Sequence, residues 1–129
     1  MTGVDVRVLC GGATTDVRTT RLAARARYDA LLSAGVRIYE YEAATLHAKT
    51  FVVDGNWSSV GTMNFDNRSL ALNDEVTLMV LDAAFGERME SLFHSDLRSA
   101  AEIELAAFRC RPRVARVAEW GADLIARLL

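Results

Sequence analysis

The sequence has 129 residues, of which 51% are hydrophobic and 25% charged, and its formal net charge is -2. This composition is typical of one modest globular domain and excludes a disordered or fibrous chain. No apolar run approaches the ~18 to 20 residues of a membrane span, and the first residues lack a secretory apolar stretch, so we expect a cytoplasmic chain. The sequence pI near 5.7 disfavours nucleic acid as a partner, because domains that bind it through a basic surface typically have a pI above ~9.

The first part of the chain has the pattern of a strand, a helix and a second strand. Val4–Leu9 alternates apolar and charged residues like a half-buried strand, and Val36–Tyr41 predicts another strand. Between them, Gly35 supplies the left-handed residue that ends many helices. This order and spacing favour a parallel crossover unit, and therefore an α/β architecture. The helix is indicated by apolar residues on one face, namely Ala24, Tyr28, Leu31 and Leu32.

Three further short strands are predicted in the middle of the chain. Ala48–Val53 and Ser58–Gly61 are separated by Asp54-Gly55-Asn56, which is a strong turn signal. Val76–Leu81 is apolar at nearly every position, so we expect it to lie in the middle of a sheet with both faces covered. Together with the crossover unit, these strands predict an α/β domain over residues 1–129, with a mixed β-sheet flanked by helices.

The remainder of the chain is predicted to be helical. Pro112 opens the last helix, whose apolar face we expect to be ordinary core because residues at this spacing are usually buried. Four arginines around its start could meet anionic lipid, but we interpret them as a solvated helix start. His94 lies on the preceding helix without metal-ligand spacing and is expected to be structural. The apolar residues of the preceding helix are Phe85, Met89, Leu92, Phe93, Ala100 and Ile103. The four arginines are Arg109, Arg111, Arg113 and Arg116. The apolar face of the last helix consists of Val114, Val117, Gly121, Leu124, Ile125 and Leu128.

Polar side chains that suit phosphate chemistry surround two of the predicted strands. His47 and Lys49, which is the only lysine beside fourteen arginines, share one face at the start of a strand because strand residues alternate. Thr62 and Asn64 follow Gly61, where a backbone N–H can approach an anion closely. A compact ammonium, a hydroxyl and an amide suit phosphoryl oxygens, and a neutral imidazole can attack phosphorus. These residues predict a phosphoryl-transfer site.

A histidine nucleophile needs a partner for its second ring nitrogen, and a carboxylate is the usual one. Glu75 directly precedes the third of these strands, so we expect it at the sheet edge beside His47. Asp54 lies in the turn signal, where we expect a structural role in accepting hydrogen bonds from backbone N–H groups. Asp66 and Asp74 remain the other candidates for the carboxylate.

These residues resemble the HKD motif of the phospholipase D superfamily, and the match of several positions in register is far more specific than a short pattern. The adjoining segment GTMNFDNRSLALNDEV is similar to the cardiolipin synthase branch, as are the upstream RLAARARYDALLSAGVRIYEY and the C-terminal end, so the likeness covers nearly the whole chain. The motif reads His47-x-Lys49-x4-Asp54-x6-Gly61-Thr62-x-Asn64.

The resemblance implies a phosphohistidine mechanism that needs no metal and no cofactor. In that mechanism His47 is the nucleophile and Glu75 orients it. The implied catalytic residues are therefore His47, Lys49 and Glu75, the implied phosphate-binding residues are Lys49, Thr62 and Asn64, and the structural positions of the motif are Asp54 and Gly61.

Sites of this superfamily are built from two HKD motifs, whereas this chain has one, since Lys49 is its only lysine. We therefore expect it to resemble the C-terminal half of a two-motif enzyme, shortened at its start. It would pair with a second copy in a homodimer or with a missing N-terminal half. The resemblance implies a phospholipid substrate, phosphatidyl transfer or phosphodiester cleavage, and a peripheral location at the inner face of the cell membrane. A nuclease of the same superfamily and an inactive fragment or interaction domain remain the alternatives.

Overall fold

The computed structural model describes residues 3–15, 17–64 and 73–128, and the chain folds into two compact units. The first unit comprises Met1–Leu46 and Ser99–Leu129, and the second comprises His47–Arg98. In chain order the elements are β1 (Arg7–Gly11), α1 (Arg18–Ser33), β2 (Arg37–Tyr41), β3 (Thr50–Val53), β4 (Trp57–Gly61), β5 (Thr77–Leu81), α2 (Ala83–Leu97), β6 (Ala100–Glu102), α3 (Leu105–Arg109) and α4 (Arg113–Leu128).

The first unit contains the predicted parallel crossover. Strands β1 and β2 pair in parallel from Arg7↔Arg37 to Gly11↔Tyr41, and α1 connects them. Gly35 adopts a φ of 89°, which confirms it as the left-handed residue after α1. Strand β6 adds to β2 in the antiparallel direction, so the sheet has the order β1-β2-β6 and is mixed. The α/β class is thus confirmed, and the remaining strands form a second sheet.

The core of the first unit forms where α1 and α3 cover this sheet. Tyr28 of α1, Ile38 of β2 and Phe108 of α3 are buried together. The Tyr28 and Phe108 rings lie 5.7 Å apart between centroids, which is a typical contact distance for aromatic pairs. Burial of these large apolar side chains fixes the two helices against the sheet.

A chain of buried ion pairs joins α1, β2 and α4 in the same unit. Glu40 accepts hydrogen bonds of 2.5 Å from both Arg21 and Arg25. Arg25 also reaches Glu119 at 3.1 Å, and the second oxygen of Glu119 accepts a 2.9 Å bond from Arg111. Both carboxylates are almost completely buried, with exposures of 4% for Glu40 and 1% for Glu119. Each buried negative charge is therefore compensated by two guanidinium groups.

The second unit is an antiparallel sheet of order β3-β4-β5, against which α2 packs. Asp82 caps the N-terminus of α2, because its carboxylate accepts a 2.8 Å hydrogen bond from the Phe85 N–H. Gly86 allows the helix to touch the turn before β4, because a Cβ atom there would lie only 2.2 Å from the Gly55 carbonyl oxygen. The side chain of Ser58 on the central strand is fully buried.

The prediction that Val76–Leu81 lies in mid-sheet is wrong. Strand β5 is at the edge of its sheet, and side chains on both of its faces are exposed, with Leu78 at 62% and Met79 at 67%. Continuous apolar character indicates burial on two faces, but it does not show whether the covering element is present in the same chain.

The helix predicted to run through Ala100 and Ile103 ends earlier, at Leu97. Ala100 begins β6, which pairs with β2, and the Ile103 N–H donates a 2.8 Å hydrogen bond to the Ile38 carbonyl. Alanine and glutamate favour helices, so pairing with a strand far away in the sequence has overridden local propensity here.

The prediction that the apolar face of α4 is ordinary core is also wrong. The opposite face of the helix packs on α1, and it contains the buried residues Glu119 and Ala122. The side chain of Leu128 lies outside the described residues. The other apolar positions of the predicted face are exposed to solvent, namely Val114, Val117, Leu124 and Ile125, together with Trp120. Among the described residues, no helix is long and apolar enough to cross a membrane.

Candidate functional site

His47 and Lys49 lie immediately before β3, on a segment tied to the neighbouring strand. The Lys49 carbonyl accepts a 3.1 Å hydrogen bond from the Gly61 N–H, which extends the β3–β4 pairing toward His47. The Lys49 Nζ donates a 2.8 Å hydrogen bond to the His47 carbonyl oxygen. The ammonium is therefore held beside the backbone of the histidine, while the His47 side chain is exposed.

Gly61 allows β4 and the segment before β5 to approach closely. A Cβ atom at Gly61 would lie 2.4 Å from the Val76 carbonyl oxygen and 2.8 Å from the Thr77 Cα, so a side chain would push the strands apart. The next residue, Thr62, donates a 2.9 Å hydrogen bond from its N–H to the same Val76 carbonyl. The glycine of the motif thus has a packing role in the structure.

Thr62 and Glu75 are joined directly. The Thr62 hydroxyl donates a 2.5 Å hydrogen bond to Glu75 Oε2 and accepts a 3.0 Å bond from the Val76 N–H. The other carboxylate oxygen of Glu75 accepts a 3.4 Å bond from the Asn73 side chain. The Thr62 N–H is bound to the Val76 carbonyl and its hydroxyl to Glu75. A phosphate group would therefore compete with Glu75 for the hydroxyl.

The antiparallel arrangement brings these groups to one end of the second sheet. Strand β3 starts, β4 ends and β5 starts at that end, because neighbouring strands run in opposite directions. The residues there include an ammonium, a hydroxyl, an amide and a carboxylate next to an imidazole, which is the set of groups predicted for phosphoryl chemistry. They are His47, Lys49, Thr62, Asn64 and Glu75.

Asp54 lies at the opposite end of the same strands, in the turn between β3 and β4. It has a φ of 50°, Gly55 follows with a φ of 58°, and the Asn56 N–H closes the turn on the Val53 carbonyl at 3.1 Å. Asp and Gly are the residues that such a left-handed turn favours. This position confirms the turn; the role of the Asp54 side chain in it stays a prediction.

Two other expectations for the site concern carboxylates. Asp74 is exposed beside Glu75, and Asp66 lies outside the described residues.

Within residues 3–15, 17–64 and 73–128, no group of three or more potential metal ligands is found. Surface depressions of about 410 and 230 Å³ are both in the first unit, the former on α4 and the latter next to Phe108, and candidate residues do not line either one.

The sequence of the chain matches one known protein family over most of its length. Residues 1–97 match the family described as Cardiolipin synthase, PLD-like domain. The chain belongs to this family. The recognition of the phospholipase D superfamily from the sequence is thereby confirmed.

Individual relatives agree with the family. The domain is 36% identical over 129 residues to a cardiolipin synthase of Clostridium perfringens and 39% identical to one of Geobacillus kaustophilus. All of this chain is aligned, but only 27% and 26% of those proteins, so it spans about a quarter of their length. The fold is similar to that of a phospholipase D family member, Nuc from Salmonella typhimurium, with a TM-score of 0.65 and 17% identity over 79% of this chain and 66% of the other.

Sequence reasoning placed His47 and Lys49 at the start of a strand, whereas in the structure both precede β3, and it missed the hydrogen bond between Thr62 and Glu75. Thr62 and Glu75 are 13 positions apart in the sequence, so local spacing alone does not pair them. The available signal was local: Gly61 before Thr62 permits close approach to the following strand. Glu75 directly precedes that strand, which puts the carboxylate within reach.

Proposed function

We propose that this PLD-like domain is cardiolipin synthase-like and transfers a phosphatidyl group or cleaves a phosphodiester through a phosphohistidine on His47. It would contribute one of the two HKD motifs of a complete site. The observation that supports this most is the position of five candidate residues at one end of the β3-β4-β5 sheet, namely His47, Lys49, Thr62, Asn64 and Glu75. The ammonium of Lys49 is fixed next to His47, and Glu75 is fixed by Thr62 at the neighbouring strand ends. A site that must stabilise a charged phosphoryl group benefits from groups that are already oriented.

In the first step, a ring nitrogen of neutral His47 attacks the phosphorus of a phospholipid. An N–P bond forms and the P–O bond to the leaving alcohol breaks, while that alcohol takes up a proton from a general acid. Lys49 offsets the charge on the phosphoryl oxygens, and Asn64 donates a hydrogen bond to them. Glu75 orients His47 and stabilises the positive charge that develops on its ring.

In the second step, an acceptor alcohol or water attacks the phosphohistidine. The N–P bond breaks, the acceptor oxygen bonds to phosphorus, and its proton returns to the group that acted as the acid. We propose that this group is the histidine of a second HKD motif, supplied by a second copy of the chain or by an N-terminal half. The reaction would take place at the inner face of the cell membrane, where phospholipid is presented.

The test is turnover of phosphatidylglycerol vesicles, followed by mass spectrometry of the lipid products, with supercoiled DNA incubated in parallel. The two histidines of the chain provide a matched pair of variants. His47→Asn should abolish turnover because an amide cannot form the covalent intermediate, whereas His94→Asn should not. Lys49→Arg should reduce turnover at least about tenfold, since a guanidinium fork does not replace a compact ammonium.

Addition of EDTA should leave the rate unchanged, as the family resemblance implies a site that works without metal. Turnover by His47→Asn at the original rate would defeat the proposal. Cleavage of DNA without turnover of lipid would show that the substrate is a nucleic acid and not a phospholipid.

A further inference from the structure

Helix α4 has two faces of different chemistry, and among the described residues of the first unit only one of these faces is packed. Glu119 and Ala122 are buried against α1, and Arg27 of α1 donates two 3.0 Å hydrogen bonds to Asp123. The apolar stripe of α4 points the other way, and we define it as Val114, Val117, Trp120, Leu124 and Ile125. The exposures of its members range from 46% for Leu124 to 81% for Val114.

This stripe is continuous along the helix. Val114, Val117, Trp120 and Leu124 recur at intervals of three and four, and Ile125 lies eight residues after Val117 on the same side. They form one band along a helix of 16 residues, which is about 24 Å long. Isolated exposed apolar residues are ordinary, but a contiguous band with an exposed tryptophan indicates a surface that meets another apolar phase.

The charges of α4 indicate the chemistry of that phase. Its two carboxylates, Glu119 and Asp123, are both on the packed side and both bound by arginines of the same unit. Arg113 and Arg116 are exposed and line a depression of about 410 Å³ together with Val117 and Trp120. Within the described part of the helix, the outer side therefore combines arginines with apolar residues and presents no carboxylate.

We infer that the apolar stripe of α4, with Arg113 and Arg116 beside it, binds the interface of an anionic phospholipid membrane. An amphipathic helix of this kind lies in the membrane plane, with its apolar side chains at the acyl boundary and its cationic groups at the anionic headgroups. Tryptophan favours the same level, because its ring is apolar and its N–H is polar.

A second copy of the chain fits this surface less well. In a twofold pair the same patch meets itself, so the arginines would need carboxylates on the outer side of the partner helix. Glu119 and Asp123 are already bound on the inner side. Anionic headgroups supply the missing negative charge, so the membrane is the occupant that the charges favour.

The experiment is co-sedimentation of the full chain with vesicles of mixed phosphatidylglycerol and phosphatidylcholine, and with vesicles of phosphatidylcholine alone. In a Trp57→Phe background Trp120 is the only tryptophan, so its emission reports directly on the stripe. We expect binding to the anionic vesicles with a blue shift of that emission, quenching by brominated acyl chains, and weakening by salt.

Two pairs of variants separate the apolar and the charged contributions. Val117→Ser with Leu124→Ser should weaken binding at least about tenfold, and Arg113→Gln with Arg116→Gln should also weaken it about tenfold. The matched controls on exposed positions of α2, Leu92→Ser and Arg88→Gln, should leave it unchanged. Circular dichroism should show that each variant is folded, since all these positions are exposed.

This inference extends the membrane location in the proposed function but does not depend on turnover. The inactive His47→Asn chain should bind the vesicles like the unmodified chain, so failure of the chemistry and failure of the surface can be told apart. Equal binding to neutral and anionic vesicles, or binding that the α4 variants do not change, would overturn the inference. It would also be overturned if the stripe variants abolished self-association in sedimentation without lipid and left vesicle binding intact.

Discussion

The Thr62 hydroxyl lies 2.5 Å from Glu75 Oε2 and donates a hydrogen bond to it, while accepting another from the Val76 N–H. These contacts join the end of β4 to the start of β5, next to the segment that contains His47 and Lys49. In the proposed mechanism Glu75 must hold His47, so Thr62 acts through the carboxylate as well as through any contact with phosphate. We therefore propose that Thr62 positions Glu75.

Replacement of Thr62 by valine should therefore lower kcat about 10- to 100-fold, because loss of one hydrogen bond to a carboxylate is worth ~1.5 to 3 kcal/mol. Thr62→Ser keeps the hydroxyl and should restore most of the rate. The readout is the initial rate of lipid turnover, with Thr50→Val on β3 as a control at an exposed strand position. Equal rates for the valine and serine variants would contradict the positioning role.

Removal of one partner from the buried ion pairs of the first unit should be strongly destabilising. Glu119→Gln leaves Arg25 and Arg111 without their shared carboxylate, and loss of one partner in such a buried pair costs about 3 to 5 kcal/mol. Glu102→Gln removes the partner of Arg37 in an exposed pair and should cost at most ~1 kcal/mol. Urea unfolding of the two variants measures the difference. Similar midpoints for both would show that the buried network contributes little.

The two cysteines should differ in reactivity. Burial raises the pKa of the Cys10 thiol above its usual value, whereas Cys110 is exposed. A raised pKa means that less of the reactive thiolate is present at a given pH below it, and burial also limits access. Iodoacetamide should therefore modify Cys110 first, with the Cys10 rate rising as the pH increases. Peptide mass spectrometry gives both rates, and faster labelling of Cys10 in the folded chain would contradict this difference in burial.

Local sequence signals predicted the parts of the fold that depend on near neighbours. The crossover of β1, α1 and β2 follows from periodicity and from Gly35, and the turn at Asp54 follows from its residues. The edge position of β5, the early end of α2 at Leu97 and the exposure of α4 depend on which distant elements pack against them. Apolar pattern shows that a face can be buried, but it does not identify its cover.

In the candidate site, too, local sequence signals predicted some features, and others depend on tertiary structure. The motif spacing located His47, Lys49, Thr62 and Asn64, since each stands next to a strand that the local pattern predicts. The hydrogen bond between Thr62 and Glu75 could be recognised only from the β4–β5 register, which is a tertiary property.

Assembly should control activity if the site requires two motifs. A general acid contributes about 10² to 10⁴ in rate, and a second copy of His47 could provide it across a twofold axis. Specific activity should then rise with protein concentration as dimers form, which sedimentation can follow in parallel. If one histidine acts as nucleophile and the other as general acid, the rate should follow a bell-shaped pH profile. A monomer with activity independent of concentration would contradict the shared site.

Covalent capture of the reaction intermediate tests the central claim most directly. The chain is mixed briefly with phospholipid labelled in its phosphate, quenched in alkali, digested and analysed by mass spectrometry for modified peptides. The account predicts a phosphatidyl group on His47 that is absent from His47→Asn, present in His94→Asn and lost when acceptor alcohol is added. Turnover of the same lipid with no label on His47 would contradict it.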